Sequence, residues 1–172
     1  MEALFFFWLQ QHSVKLKFID LSFSENLIRT PDFSGVPRLE GLNLSCCDSL
    51  VEIHPSIGQL SRLQYLKLDS CESLTDLPSM SAEMQSLTLL DLSCCYNFSS
   101  ILKFTGIMKS LSKIYLGAAA IKKLAPSSIE CLTALTLLDL SSCKNLECLP
   151  SNMDDLRSLE TLILRGCKKL KS

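Results

Sequence analysis

Leu63-Gln64-Tyr65-Leu66-Lys67-Leu68 and Leu135-Thr136-Leu137-Leu138-Asp139-Leu140 are one phrase written twice, with apolar residues at the first, fourth and sixth positions. The phrase also opens at Leu16, Leu39, Leu87, Leu111 and Leu159, so seven blocks follow one another at an interval of 23 residues once and 24 thereafter. Apolar, polar, apolar about the fourth to sixth positions is the period-two pattern of a short strand. One block cannot bury its leucines alone. Neighbours stacked on each side cover them, which gives a solenoid with a continuous core.

The period and the phrase together are those of a leucine-rich repeat, an α/β solenoid. Residues 1–15 form a poorly defined N-terminal segment, and residues 16–172 form the repeat domain, six repeats of 23–24 residues plus a partial seventh. The strands are expected to make a parallel sheet on the concave wall, about 30 Å long at ~4.8 Å per strand. The convex wall is expected to hold loops and short helical turns, because Leu74-Thr75-Asp76-Leu77-Pro78 and Leu146-Glu147-Cys148-Leu149-Pro150 place a proline where it stops any helix. Ser56-Ile57-Gly58-Gln59-Leu60 and Ser128-Ile129-Glu130-Cys131-Leu132 then return apolar residues to the core. Repeat 5 departs from the pattern, since Gly117-Ala118-Ala119-Ala120-Ile121 brings its next apolar residue one place early.

With 172 residues, 47% hydrophobic and 20% charged, the chain supports one elongated domain and is too apolar to be disordered. Its 17 basic and 18 acidic side chains leave a net charge of −1, which exerts no long-range pull on nucleic acid or anionic lipid. The cluster Arg165, Lys168, Lys169 and Lys171 reads as a solvated chain end. The apolar run Ala3-Leu4-Phe5-Phe6-Phe7-Trp8-Leu9 is far below the ~18 residues of a membrane span. It also lacks the basic leader and cleavage site of a secretory signal. It is expected to pack on the first repeat or to mark a false gene start.

The ninth column reads Ser24, Cys47, Cys71, Cys95, Ala119, Cys143 and Cys167. A small inward polar group here is placed to satisfy backbone where the strand ladder ends. Neighbouring cysteines, one strand apart, fall within the Cα range of a disulfide. Ala119 and Ser24 at equivalent sites argue instead for small size, and none of the nine cysteines forms a C-x-x-C pair. Reduced, buried thiols are the expectation.

The outward positions of the strands make the candidate protein-binding face. The third column contributes Tyr65, Leu89 and Leu137; the fifth contributes Asp20, Asn43, Lys67, Asp91, Tyr115, Asp139 and Ile163; the seventh contributes Asp69 and Arg165. These columns vary in size and charge while the core columns barely change, as a recognition face on a fixed scaffold does, and as an idle solvated face also does. The apolar members of the face, with Phe18 and Phe23, suit either a protein contact or cross-strand packing.

Catalytic patterns are absent from the sequence: it has no G-x-S-x-G, no Gly-rich phosphate loop and no H-E-x-x-H. Its two histidines, His12 and His54, do not cluster in sequence, and Asp20, Asp91 and Asp139 lie on nonadjacent strands, too far apart for a carboxylate pair. The sequons at Asn43 and Asn97 read as accidental in a serine-rich chain. The reading is a non-enzymatic module with no cofactor and no metal, whose partner is a protein and not nucleic acid or a membrane.

Leu16-Lys17-Phe18-Ile19-Asp20-Leu21-Ser22, then Asn26-Leu27-Ile28-Arg29-Thr30-Pro31-Asp32-Phe33-Ser34-Gly35-Val36-Pro37, resembles the leucine-rich region of plant intracellular disease-resistance proteins of the class that carries a TIR domain. Leu50-Val51-Glu52-Ile53-His54-Pro55-Ser56-Ile57-Gly58 resembles the same family, and the likeness covers residues 16 to 172. The extracellular plant receptors differ, with Asn in the ninth column and a Leu-x-Gly-x-Ile-Pro phrase. The resemblance implies a cytoplasmic sensor and autoinhibitory module that restrains a nucleotide-binding switch until a pathogen effector or altered host protein is met. It transfers no nucleotide or NAD chemistry to any residue here, because the TIR and P-loop domains are absent from this sequence. A stand-alone cytosolic scaffold or adaptor, the substrate-recruiting arm of an enzyme, and a truncated non-functional product are the alternatives.

Overall fold

The computed structural model describes residues 15–171. Seven three-residue strands lie in one parallel sheet in chain order: β1 (Phe18–Asp20), β2 (Gly41–Asn43), β3 (Tyr65–Lys67), β4 (Leu89–Asp91), β5 (Lys113–Tyr115), β6 (Leu137–Asp139) and β7 (Thr161–Ile163). Each strand is the third to fifth positions of its block. The fourth-position residues Ile19, Leu42, Leu66, Leu90, Ile114, Leu138 and Leu162 pair in register along the sheet. A slip of one residue would turn this whole row to solvent, so the burial of one face holds the register.

The core runs beneath the sheet. Leu42, Leu66, Leu90 and Ile114 are fully buried, as are the sixth-position Leu44, Leu68, Leu92, Leu116 and Leu140. Leu162 on β7 is 38% exposed, whereas Ile19 on β1, the other edge strand, is buried. The opposite wall holds 3-10 turns at Pro55–Gln59 and Met153–Asp155 and one short α-helix, Pro126–Glu130, among loops. Proline opens two of these three elements, where its missing N–H costs nothing and its fixed φ suits the first turn. Ile57 and Ile129 follow and turn back into the core. The buried Ser56 and Ser128 tie these turns to the previous repeat: Ser56 Oγ accepts from the Phe33 N–H at 2.8 Å, and Ser128 Oγ donates to the Leu102 carbonyl at 2.5 Å. The early apolar residue of repeat 5, Ile121, is also buried, so the irregularity is absorbed in the core. The N-terminal run Ala3–Leu9 lies outside the described residues.

Every strand leaves through the same turn. Its eighth residue is left-handed: Phe23, Cys46, Ser70, Cys94, Ala118 and Ser142 have φ of 57–65°, and Gly166 has φ 81°. A side chain in this region costs on the order of 1 kcal/mol. The return is continuity of hydrogen bonding, since Cys46 N–H reaches the Asp69 carbonyl and Ser70 N–H the Ser93 carbonyl, both at 2.8 Å, one repeat onward.

The turn also aims the ninth residue inward. Cys47, Cys71, Cys95, Cys143 and Cys167 each donate Sγ–H to the sixth-position carbonyl of the preceding repeat, at 3.0–3.2 Å, as Cys95 does to Leu68. The thiols thus form a spine of side-chain to backbone bonds, and all nine cysteines are unbridged. Ala119 has no donor to offer the carbonyl of Leu92. Burial raises the thiols well above their ordinary range: Cys47 and Cys71 shift upward, and Cys95 and Cys143 are pushed up to about 12.

Candidate functional site

The strand wall carries two kinds of row. In repeats 1, 2, 4 and 6 the fifth and seventh positions read Asx-x-Ser, and the pair bonds to itself. Asp20 Oδ1 accepts from the N–H and hydroxyl of Ser22 at 2.9 and 2.6 Å, and Asn43 Oδ1 accepts likewise from Ser45 at 3.1 and 2.7 Å. Asp91 Oδ1 accepts from the Ser93 N–H at 3.0 Å, and Asp139 Oδ1 from the Ser141 N–H at 2.7 Å. A short acceptor two residues ahead of an amide is the Asx-turn arrangement. Here it fixes the backbone just before the left-handed residue. The Ser22 hydroxyl and N–H hold the Asp20 carboxyl below its ordinary range. The motif Asx-x-Ser was visible in the sequence, but without the left-handed turn its structural duty was not.

In repeats 3, 5 and 7 the same positions read Lys67-x-Asp69, Tyr115-x-Gly117 and Ile163-x-Arg165, and no such cap forms. Asp69 Oδ1 lies 2.5 Å from Ser45 Oγ on the neighbouring row and shares that hydroxyl's one proton with Asn43 Oδ1. Lys67 Nζ lies 6.0 Å from the Tyr65 ring centroid. The Tyr65 ring itself covers Gly41 on β2: a Cβ there would stand 2.2 Å from it. Tyr65 thus lies across the strand over Gly41, and a larger residue at 41 would displace its ring.

Tyr115 stands in register between Asp91 of β4 and Asp139 of β6, half-buried. Leu89, Leu137 and Ile163 are also half-buried, whereas Phe18 and Phe23 are 57% and 72% exposed. Phe23 sits on the turn after β1 and not on the strand face. Lys67, Tyr115, Ile163 and Arg165 remain as outward residues with no bond to their own turn.

Other features serve the scaffold. His54 Nδ1 lies 2.9 Å from Ser56 Oγ at the start of an outer turn. An enclosed apolar void of about 10 Å³ under repeat 5 is no larger than one water. Among the described residues no group of three or more His, Cys, Asp and Glu is placed to hold a metal ion, and no helix is long and apolar enough to cross a membrane.

No family model matches the chain. It is 39% identical over 162 residues to TMV resistance protein N of Nicotiana glutinosa, covering 94% of this chain and 14% of that protein. It is 47% identical over 157 residues to Protein SUPPRESSOR OF npr1-1, CONSTITUTIVE 1 of Arabidopsis thaliana, covering 91% of this chain and 10% of that one. Over 46 residues it is 52% identical to disease resistance protein RPV1 of Vitis rotundifolia, 27% of this chain and 3% of that protein. The chain thus spans at most about a seventh of these relatives. Among solved structures, the leucine-rich repeat domain of the type III effector XCV3220 (XopL) is similar over 84% of this chain and 67% of that one, at 22% identity and a TM-score of 0.48. With its seven-stranded parallel solenoid the chain is a leucine-rich repeat array, and the relatives it matches over nearly its whole length include a plant resistance protein.

Proposed function

We propose that this chain is the protein-recognition module of a plant immune receptor, working in the cytoplasm as its sensor and as the restraint on its nucleotide-binding switch. The observation that carries the reading is the division of the wall. A constant core and four self-capped rows make a stiff scaffold, and beside them stand rows whose outward groups, Lys67, Tyr115, Ile163 and Arg165, make no bond to their own turn. Aromatic and arginine side chains of this kind supply much of the binding energy in protein interfaces. The partner is a pathogen effector, a host target, or the receptor's own nucleotide-binding domain, and binding needs no cofactor.

Proximity labelling in leaf tissue tests this. A biotin-ligase fusion of the chain is compared with its Tyr115→Glu/Ile163→Glu variant and with Gln59→Lys on the outer wall. Proteins labelled by the wild type and by the Gln59 variant, and lost only with the double variant, support the wall. Identical sets from all three would overturn it.

A further inference from the structure

From the left-handed eighth residue each repeat runs along a flank towards the outer turns. In repeats 5 to 7 this flank, residues 118–124, 142–149 and 166–171, carries Lys122, Lys123, Lys144, Lys168, Lys169 and Lys171 against one acid, Glu147. The stacking brings these lysines together from 49 residues of chain (171 − 122), since the Glu147 N–H donates to the Lys122 carbonyl at 2.9 Å and the Lys171 N–H to the Glu147 carbonyl at 3.0 Å. All six are exposed, and none is ion-paired with another described residue. Lys169 donates only to a neutral group, Asn145 Oδ1, at 3.1 Å. Elsewhere on the flank the bases are used: Arg29 pairs with Glu52 at 3.1 Å, and Lys103 with Asp76 at 3.4 Å. Where the lysines meet repeat 4, Ala118, Ala119 and Ala120 leave a depression of about 230 Å³ between the exposed Tyr96 on one side and Lys144 with Asn145 on the other. That is less than the roughly 300 Å³ at which small-molecule sites begin, and it suits a single side chain.

We infer that the flank of repeats 5 to 7 docks an acidic segment of a partner protein, which lays carboxylates along the lysines and one apolar or aromatic side chain in the alanine depression beside Tyr96. Charge complementarity fixes the class of partner: six lysines without an ion pair, on three adjacent rows, call for anions. An extended segment presents alternate side chains ~7 Å apart along one face, a spacing that long lysine side chains on rows ~4.8 Å apart can meet. With a net charge of −1 the chain has no long-range pull, so the patch acts at contact range, where charge pairs select the partner and fix its register. Single-stranded nucleic acid would need aromatic platforms for successive bases, and Tyr96 stands alone at the border. An anionic bilayer would need apolar side chains among the lysines, and of the exposed large apolar residues only Tyr96 adjoins them. The flank is separate from the strand wall, so the inference is independent of the recognition face proposed above.

Fluorescence anisotropy at low salt tests it, with a labelled peptide of alternating Glu and Ser that ends in Phe, and with the same peptide ending in Ala. The Phe peptide is expected to bind more tightly than the Ala peptide. Lys144→Glu/Lys168→Glu should weaken it about ten-fold or more, and Lys122→Glu/Lys123→Glu, on another row, should do the same. Arg62→Glu/Lys109→Glu makes an equal change in net charge at exposed positions off the flank and should alter binding less than about two-fold. Ala120→Leu, which fills the depression, should weaken the Phe peptide about three-fold and leave the Ala peptide unchanged. Circular dichroism checks that each variant is folded. No binding of the Phe peptide up to about 100 µM overturns the inference. So does an equal loss from the reversals on and off the flank, or a Phe peptide that binds no better than the Ala peptide or ignores Ala120→Leu. Tighter binding of oligothymidylate, or of vesicles of phosphatidylcholine and phosphatidylserine, than of the peptide would overturn it in favour of nucleic acid or membrane.

Discussion

The row of β4, where Asp91 holds the amide of Ser93, and the row of β5, where Tyr115 is followed by Gly117, lie side by side over the same core. Beneath them Leu90 and Ile114 are equally buried and in register. Above them one row has spent its polar group on its own turn, and the other has left an aromatic side chain with no such bond. The contrast teaches that exposure on a repeat wall does not by itself mark a recognition residue. An outward Asp followed two places later by Ser is part of the scaffold, and the residues that break this pair are the better candidates.

The largest expected effects test whether the contrast stops at the surface. Leu90→Ala and Ile114→Ala should each cost roughly 2–5 kcal/mol by urea denaturation, with similar values for the two rows. A large inequality would mean that the rows differ in their packing as well as their wall. Leu162→Ala, on the less covered terminal strand, should cost clearly less than either.

Next in size comes the cap. Asp91→Ala should lose about 1 kcal/mol by leaving the Ser93 amide without its acceptor, whereas Lys67→Ala should change stability by less than ~0.5 kcal/mol. Equal losses at the two sites would erase the distinction between capped and uncapped rows. The thiol spine offers a smaller effect that runs in the stabilising direction. Ala119→Cys supplies the missing donor to the Leu92 carbonyl and should gain about 0.5 kcal/mol, while Cys95→Ala should lose at least as much.

The smallest effect is a predicted absence of change. Cys95 and Cys143 ionise in the folded chain only near 12, above the ordinary thiol value of 9.0. The stability they contribute is therefore fully present below pH 9 and is lost as pH rises from 9 towards 12, where the unfolded chain ionises and the folded chain resists. Below pH 9, thermal unfolding should not respond to these thiols. Under native conditions an alkylating reagent should reach the exposed Cys148 and spare Cys71, Cys95 and Cys143, as read by peptide mass spectrometry.

The spacing of the leucines was enough for the solenoid, the strand positions and the inward cysteines, because each is a property of one repeat multiplied. Tyr65 shows where such reading stops. In sequence it is one more outward aromatic, and only the structure shows its ring lying over Gly41, 24 residues earlier. The same holds for the left-handed eighth column, which six non-glycine residues occupy and which only Gly166 announces in the sequence.

By itself, then, the sequence determined the periodic part of this protein: a repeat that cannot bury its leucines alone must stack on its neighbours, and the 24-residue interval fixes which side chains share a core row. Only the tertiary structure decided which outward side chains are tied to their own turn or to a neighbouring strand. Whether an Asp on the wall caps its own turn, or a tyrosine covers a neighbour's glycine, depends on backbone geometry and on contacts between repeats, and these exist only once the stack has formed.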